Sequence, residues 1–259
     1  MTPSQTQYAI YPSLKDRRVL ITGGATGIGE AFVSRFAEQG ARVTFLDIQD
    51  TAATELCTQL AAACNVSPSY LHCDLSDLAA VKASITTAIE EMGGLDVLIN
   101  NAANDRRHSI DEVTPELWDE LMAVNLRHQF FVTQAALPAL KRSGVGSVIN
   151  MSSIAWMIPS VGLPVYITAK AGIVGLTRTL AHEAGRDNVR VNCILPGAIV
   201  TEKQRKLVLT SEYIAEILAN QALKRQLIPD DVARLALFLT ADDSSGITGQ
   251  SYIVDGGWA

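Results

Sequence analysis

Two short patterns in this chain of 259 residues place side chains that can move protons or hold phosphates. The first is Ser152-Ser153 followed by Tyr166-Ile167-Thr168-Ala169-Lys170. Tyr and Lys four residues apart on a helix project from one face, so the ammonium lies near the phenol. A nearby cation favours phenolate and draws a reference pKa of ~10 toward the working range of a general base. Ser153 ends an apolar run and is placed to hydrogen-bond an oxygen that changes between alcohol and carbonyl. Taken alone, the Tyr/Lys spacing also suits an ordinary helix with two amphipathic side chains lying along its surface.

The second pattern is Thr22-Gly23-Gly24-Ala25-Thr26-Gly27-Ile28-Gly29, directly after an apolar run and opening an amphipathic segment that ends at Gly40. Glycines at 23, 27 and 29 leave room for a backbone to approach a pyrophosphate, and a helix N-terminus adds free N–H groups and partial positive charge. Asp47 stands 18 residues beyond Gly29, at the end of the next apolar run. A carboxylate there accepts hydrogen bonds from adenosine-ribose hydroxyls and repels a 2′-phosphate, so NAD is expected over NADP. Asp74 and Leu75, ending the third run, are candidates to bracket the adenine.

These groups need elements to carry them. Val/Ile/Leu-rich runs recur at Val19–Ile21, Val43–Leu46, Tyr70–Cys73, Val97–Ile99, Val148–Met151, Val189–Leu195 and Tyr252–Val254. They predict seven buried strands. Stretches between them have helical spacing, as in Ile28, Phe32, Val33, Phe36 and Ala37, or Leu117, Leu121, Val124 and Leu126. Strand-helix alternation gives an α/β fold, a doubly wound (Rossmann) parallel sheet with helices on both faces. No Gly/Ser/Pro linker or repeat divides the chain, so one domain over 1–259 is expected. Residues 201–228 break the rhythm and are a candidate substrate lid over the carboxyl ends of the strands.

Composition narrows the partners. The chain carries 21 Lys and Arg against 27 Asp and Glu, a net charge of −6, with 48% hydrophobic residues. That balance argues against nucleic acid, and no apolar run is long enough to span a membrane. The start lacks the pattern of a signal peptide. Cys57, Cys64, Cys73 and Cys193 form no C-x-x-C pair, which suits reduced, mostly buried thiols in a cytoplasmic protein. His72, His108, His128 and His182 have no metal-ligand spacing, so no metal is expected.

The combination of these motifs resembles the short-chain dehydrogenase/reductase family over nearly the whole length. It comprises the glycine pattern at 22–29, Asp74-Leu75, Asn100-Asn101-Ala102-Ala103, Asn125, Ser153, Tyr166 with Lys170, Pro196-Gly197, Thr201 and Asp255-Gly256-Gly257. The resemblance implies that Tyr166 is the acid/base and that Lys170 lowers its pKa and holds the nicotinamide ribose. It implies that Ser153 positions the substrate oxygen and that Asn125 anchors a proton-relaying water. The serine thirteen residues before the tyrosine is the one the family uses, which selects Ser153 over Ser152. By the same resemblance Asn101 lines the cofactor groove, Ile199 and Thr201 hold the carboxamide and phosphate side, and a homotetramer pairs the helix from Tyr166 to Ala184; the apolar stripe of that helix, including Ile173 and Leu176, suits either an outward face or contact with the sheet. Ala103 departs from the family's usual glycine, which costs little if its φ is negative.

Residues 102–135, the SSIAW stretch and the ending VDGGW resemble the bacterial aldose 1-dehydrogenase branch, whose members oxidise free sugars. Asn104 and Arg107, in the polar loop after the fourth run, are candidate substrate contacts because such a loop suits a hydroxyl-rich ligand. Trp156 is a candidate to pack on the carbon face of a pyranose. The expected reaction is NAD-dependent oxidation at the anomeric carbon to a lactone. A reductase of ketones or 3-oxoacyl substrates keeps the same catalytic set, and a non-catalytic NAD-binding protein requires that set to be damaged.

Overall fold

The computed structural model describes residues 8–64, 66–207 and 210–259. Residues 1–7, at the start read for a signal peptide, and residues 208–209, within the segment read as a lid, lie outside the described residues. Seven parallel strands, β1 (Arg18–Thr22), β2 (Arg42–Asp47), β3 (Ser69–His72), β4 (Val97–Asn100), β5 (Ser147–Met151), β6 (Arg190–Pro196) and β7 (Ser251–Val254), form one sheet in the order β3-β2-β1-β4-β5-β6-β7. Helices α1 (Gly27–Glu38), α2 (Asp50–Ala63) and α3 (Leu78–Met92) connect the first four strands. Then come α4 (Pro115–Met122), α5 (His128–Ser143), α6 (Pro164–Gly185), α7 (Glu202–Leu207), α8 (Ser211–Asn220) and α9 (Pro229–Thr240). Among the described residues no helix is long and apolar enough to cross a membrane.

Alternation along the central strands sends side chains to two cores. Val19 and Ile21 join Phe32 and Phe36 of α1 and Val232 and Leu239 of α9, whereas Leu20 and Leu98 join Val81 and Ile85 of α3 and Val132 and Leu140 of α5. The expectation of seven buried strands holds for the interior ones but not for β3 and β7. They are the sheet edges, and only one side of each is covered by a neighbouring strand, so their residues are exposed or half-buried. Cys73 and Cys193 are buried, Cys57 and Cys64 half-buried, and all four are free thiols.

Strand order reverses between β1 and β4, and such a switch point opens a crevice at the carboxyl ends of the strands. Register aligns those ends: Thr22 pairs with Asn100, and Asn100 with Asn150. Their side chains brace the crevice floor, with Asn100 Nδ2 donating to Asn150 Oδ1 and Thr133 Oγ1 (both 2.9 Å) and Asn150 Nδ2 to Thr177 Oγ1 (3.0 Å). The segment read as a lid contains α7 and α8. Its far end is tied back to the sheet side, as Val200 N–H donates to Leu227 O and Leu223 N–H to Gly256 O.

Candidate active site

The turn after β1 is shaped by close contacts that exclude side chains. A Cβ on Gly29 would lie 1.7 Å from Gly23 O and 2.8 Å from Asn101 Nδ2, so only glycine fits there. Gly23 itself has φ +67, with Ala102 pressed against it. Asn101 fixes this junction by donating from Nδ2 to Gly23 O (2.8 Å) and Thr22 O (3.1 Å). Ala103 is not among the residues with positive φ, so its Cβ is tolerated without strain.

A crevice of about 760 Å³ runs along this turn, lined by Gly23, Gly27, Ile28, Gly29, Asp47, Asp74, Leu75, Asn101 and Thr201 among others. The Asp47 carboxylate is itself held: Oδ2 accepts Ala25 N–H (2.9 Å), and Oδ1 accepts Ile48 N–H (2.8 Å) and Gln49 N–H (3.0 Å). Gln49 Nε2 also reaches Oδ1 (3.4 Å), whereas Oδ2 accepts Ala25 N–H alone and keeps a lone pair for a ligand hydroxyl. Asp74 accepts Ser76 N–H (2.8 Å), a bond that lowers its pKa. The glycine cradle, the N-terminus of α1 and the carboxylate at the end of β2 fit an adenine dinucleotide.

A second cavity of about 450 Å³ adjoins the crevice, the two sharing Ile28, Asn101, Ala103, Asp105, Val200 and Thr201. It brings together Ser153, Tyr166 and Lys170, with Ile199 and Arg107 in its wall. Ser153 caps a short helical turn, its Oγ accepting Ala155 N–H (3.1 Å). Ser152 is buried and donates to Lys170 O (2.6 Å), which leaves it a structural part. Lys170 donates from Nζ to Met151 O (2.9 Å). Burial draws its pKa down to about 8, opposed by Cys193 and Asp105.

The phenol differs from the sequence expectation. Tyr166 is pushed up to about 12, by desolvation first and then by the Asp105 carboxylate, while Ser153 and Arg107 pull it down. The Lys170 ammonium stands 5.3 Å from the ring centroid and donates to Met151 rather than to the phenol.

Asn125 lies in a widened helical turn, Ala123–Arg127, where His128 N–H reaches back to Ala123 O. Its side chain is spent on the backbone: Oδ1 accepts Asn104 N–H, and Nδ2 donates to Asn104 O and Leu121 O, all at 2.9 Å. It lines neither cavity, and what it fixes is the loop after β4. Asn104, expected at the substrate, is gripped by Asn125 and lines neither cavity. Its neighbour Asp105 does, with Lys203 Nζ (2.5 Å) and Gln204 Nε2 (2.9 Å) of α7 donating to its two oxygens. Burial would raise the Asp105 pKa, but the Lys203 ammonium more than offsets that and leaves it lowered.

Trp156 is also misplaced by the sequence reading. It ends the turn after Ser153 at 37% exposure, outside both cavities, because that turn directs Ile154 rather than Trp156 into the core. The aromatic groups of the second cavity besides Tyr166 are Tyr213 of α8 and Trp258 at the chain end. Helical spacing and a polar loop gave no signal for these residues, since Tyr213 and Trp258 stand far along the chain from Ser153 and Tyr166. Of the two places open to the stripe of α6, Ile173 takes the sheet side, fully buried beside Ile154, Cys193 and Leu195, and Leu176 is half-buried. The helix face that carries Ile173 meets the sheet.

Comparisons with known proteins agree with this geometry. A family model described as enoyl-(acyl carrier protein) reductase matches residues 23–259. The chain is 49% identical over 247 residues to "Probable galactose dehydrogenase GalD" of Rhizobium meliloti (strain 1021), covering 95% of this chain and 96% of that one. It is also 49% identical over 250 residues to D-xylose 1-dehydrogenase of Caulobacter vibrioides (strain NA1000 / CB15N), covering 96% and 98%. A short-chain type dehydrogenase/reductase from Mycobacterium ulcerans superposes with a TM-score of 0.90 at 28% identity, over 95% of this chain and 90% of that chain. A cradle for a dinucleotide, a Ser-Tyr-Lys set beside it and relatives of nearly equal length lead to one assignment: this chain belongs to the short-chain dehydrogenase/reductase family of NAD(P)-dependent oxidoreductases acting on CH–OH groups, closely related to bacterial aldose 1-dehydrogenases.

Proposed function

We propose that this enzyme oxidises an aldose at its anomeric carbon to the aldonolactone, with NAD as hydride acceptor. The observation that carries the reading is the composition of the cavity at Tyr166: Asp105, Arg107, Gln204 and Glu216 line it beside Ser153 and Lys170. Asp105 and Gln204 are half-buried and Glu216 and Arg107 exposed at its rim; carboxylates, an amide and a guanidinium suit a ligand with several hydroxyls, because an analogue lacking them leaves site groups unpaired. Relatives at 49% identity named for galactose and xylose support the same choice.

When bound, the nicotinamide supplies the hydride-accepting carbon. Tyr166 takes the proton of the anomeric hydroxyl, while Ser153 donates a hydrogen bond to the same oxygen. Lys170 keeps a positive charge below the phenol as the phenolate forms, and it is also placed to bind the nicotinamide ribose. Asn125 acts through the loop it fixes. The N-terminus of α1 with Gly23, Gly27 and Gly29 receives the pyrophosphate, flanked by Thr201, and Asp47 the adenosine ribose.

NAD is preferred over NADP because Asp47 opposes a 2′-phosphate. Arg35, one of the guanidinium groups that line the crevice, is occupied by Asp230 (2.9 Å) and Glu38. The reading is tested by trapping the product: incubation with NAD and a turned-over sugar yields a lactone that hydroxylamine converts to a hydroxamate. NADPH consumption with a 3-oxoacyl thioester, and no sugar turnover, replaces it with the reductase.

A further inference from the structure

The chain ends in a turn built around one carboxylate. Asp255, 5% exposed, accepts three backbone N–H groups: Gly257 at 2.8 Å on Oδ1, and Trp258 at 3.1 Å and Ala259 at 2.7 Å on Oδ2. The same turn is sewn to the segment after α8, since Gln221 Nε2 donates to Asp255 O (3.1 Å) and Leu223 N–H to Gly256 O (2.9 Å). Charge-assisted bonds to successive N–H groups fix the course of the backbone, and with it the origin of the Trp258 side chain. Trp258 packs against the cluster of Ile154, Ile173, Cys193 and Leu195 and lines the cavity that holds Ser153 and Tyr166.

We propose that Trp258 is a specificity-determining residue, the apolar platform for the carbon face of the substrate ring, and that Asp255 is the positioning residue that holds it. The proposal rests on the aldose reading above. A cyclic sugar presents hydroxyls around its rim and a patch of C–H groups on a face. Asp105, Gln204 and Glu216 answer the hydroxyls but offer nothing to the C–H patch. An indole supplies a broad, rigid, apolar surface whose electron-rich face attracts polarised C–H groups. A core cluster behind Trp258 and a carboxylate clamp beneath its backbone limit its motion, and rigidity is what a platform requires. The motif Asp255-Gly256-Gly257-Trp258 thus does more than end the chain.

Steady-state kinetics with the sugar that the unmodified enzyme turns over tests both roles. Trp258→Ala raises the KM for sugar about tenfold or more while the KM for NAD stays within about twofold, and Trp258→Phe restores most of the loss. Asp255→Asn moves KM in the same direction, since an amide NH₂ faces donors where an acceptor stood, and Trp156→Ala leaves KM unchanged. The chain has three tryptophans, so Trp118→Phe with Trp156→Phe leaves Trp258 as the sole indole. In that background, made unreactive by Tyr166→Phe and loaded with NAD, titration with the sugar changes Trp258 emission saturably. This readout needs no truncated variant to fold. An unchanged KM in Trp258→Ala, or flat emission at sugar concentrations that saturate the unmodified enzyme, overturns the platform. Failure of the unmodified enzyme to turn over any sugar is the separate outcome that removes the aldose reading, and the platform with it.

Discussion

Lys170 Nζ lies 5.3 Å from the centroid of the Tyr166 ring and donates its hydrogen bond to Met151 O at 2.9 Å. The cation is therefore held by the end of β5, at a fixed place below the phenol, rather than by the phenol itself. Its pKa of about 8 leaves it charged at neutral pH. With the phenol at about 12, proton abstraction is uphill at neutral pH until the approach of substrate and cofactor changes the field. The free enzyme is thus poised as an acid, and oxidation gains from alkaline conditions.

Replacing Tyr166 by Phe removes the base and keeps the ring. Turnover falls by about 10²–10⁴-fold or more, as expected for loss of a positioned general base. Cofactor affinity, read by quenching of tryptophan emission, changes little. Retained turnover would assign the base elsewhere.

The Asp105 carboxylate raises the Tyr166 pKa, so Asp105→Asn lowers it. The rising limb of log kcat/KM against pH for oxidation then moves to lower pH. The same change removes the charge that Lys203 and Gln204 clasp, so α7 is held less firmly and limited proteolysis near residues 203–207 speeds up. A limb that stays in place would show that Asp105 does not act on the phenol.

Asp47 carries three backbone N–H groups of the turns it joins. Asp47→Ala leaves these donors without their acceptor and costs on the order of 1–3 kcal/mol for a buried donor left unsatisfied. The KM for NAD rises, and the ratio of NAD to NADP efficiency falls because the repulsive charge is gone. Equal ratios before and after would remove Asp47 from cofactor selection.

His128 is fully buried, donates from Nε2 to Ala102 O at 3.0 Å, and has its pKa drawn down to about 3 by burial and then by Lys170. The folded state keeps it neutral where the unfolded chain, with a pKa near 6.5, takes up a proton. Its contribution is therefore complete above about pH 6.5 and is lost as pH falls toward 3, on the order of 3–5 kcal/mol over the full window. Thermal unfolding followed from pH 7 to pH 4 shows a steeper loss for the native chain than for His128→Gln. Parallel slopes would contradict this.

Much of this arrangement was legible in the sequence because it depends on local pattern. Glycine positions 23, 27 and 29 announce a close approach after β1, and the Tyr166/Lys170 spacing announces a shared helix face. Strand periodicity gave the fold. What escaped was set by long-range geometry: Asp105 meeting Lys203 and Gln204 of α7, and Trp258 reaching the cavity instead of Trp156. Asn104 and Asp105 are neighbours in one polar loop, and nothing local tells which of them faces the cavity. The structure decides it through Asn125, which ties down the backbone of Asn104. Burial acted likewise on Tyr166, where desolvation and the Asp105 carboxylate outweigh the Ser153 hydrogen bond and the Arg107 charge.

The central claim is that this Tyr166 cavity oxidises a free sugar with NAD. Absorbance at 340 nm, recorded with a panel of pentoses and hexoses and with NAD and NADP in parallel, tests it most directly. NADH should form rapidly with at least one aldose, more efficiently than NADPH does from NADP. Absence of NADH formation across the panel by a protein that binds NAD would contradict the aldose assignment.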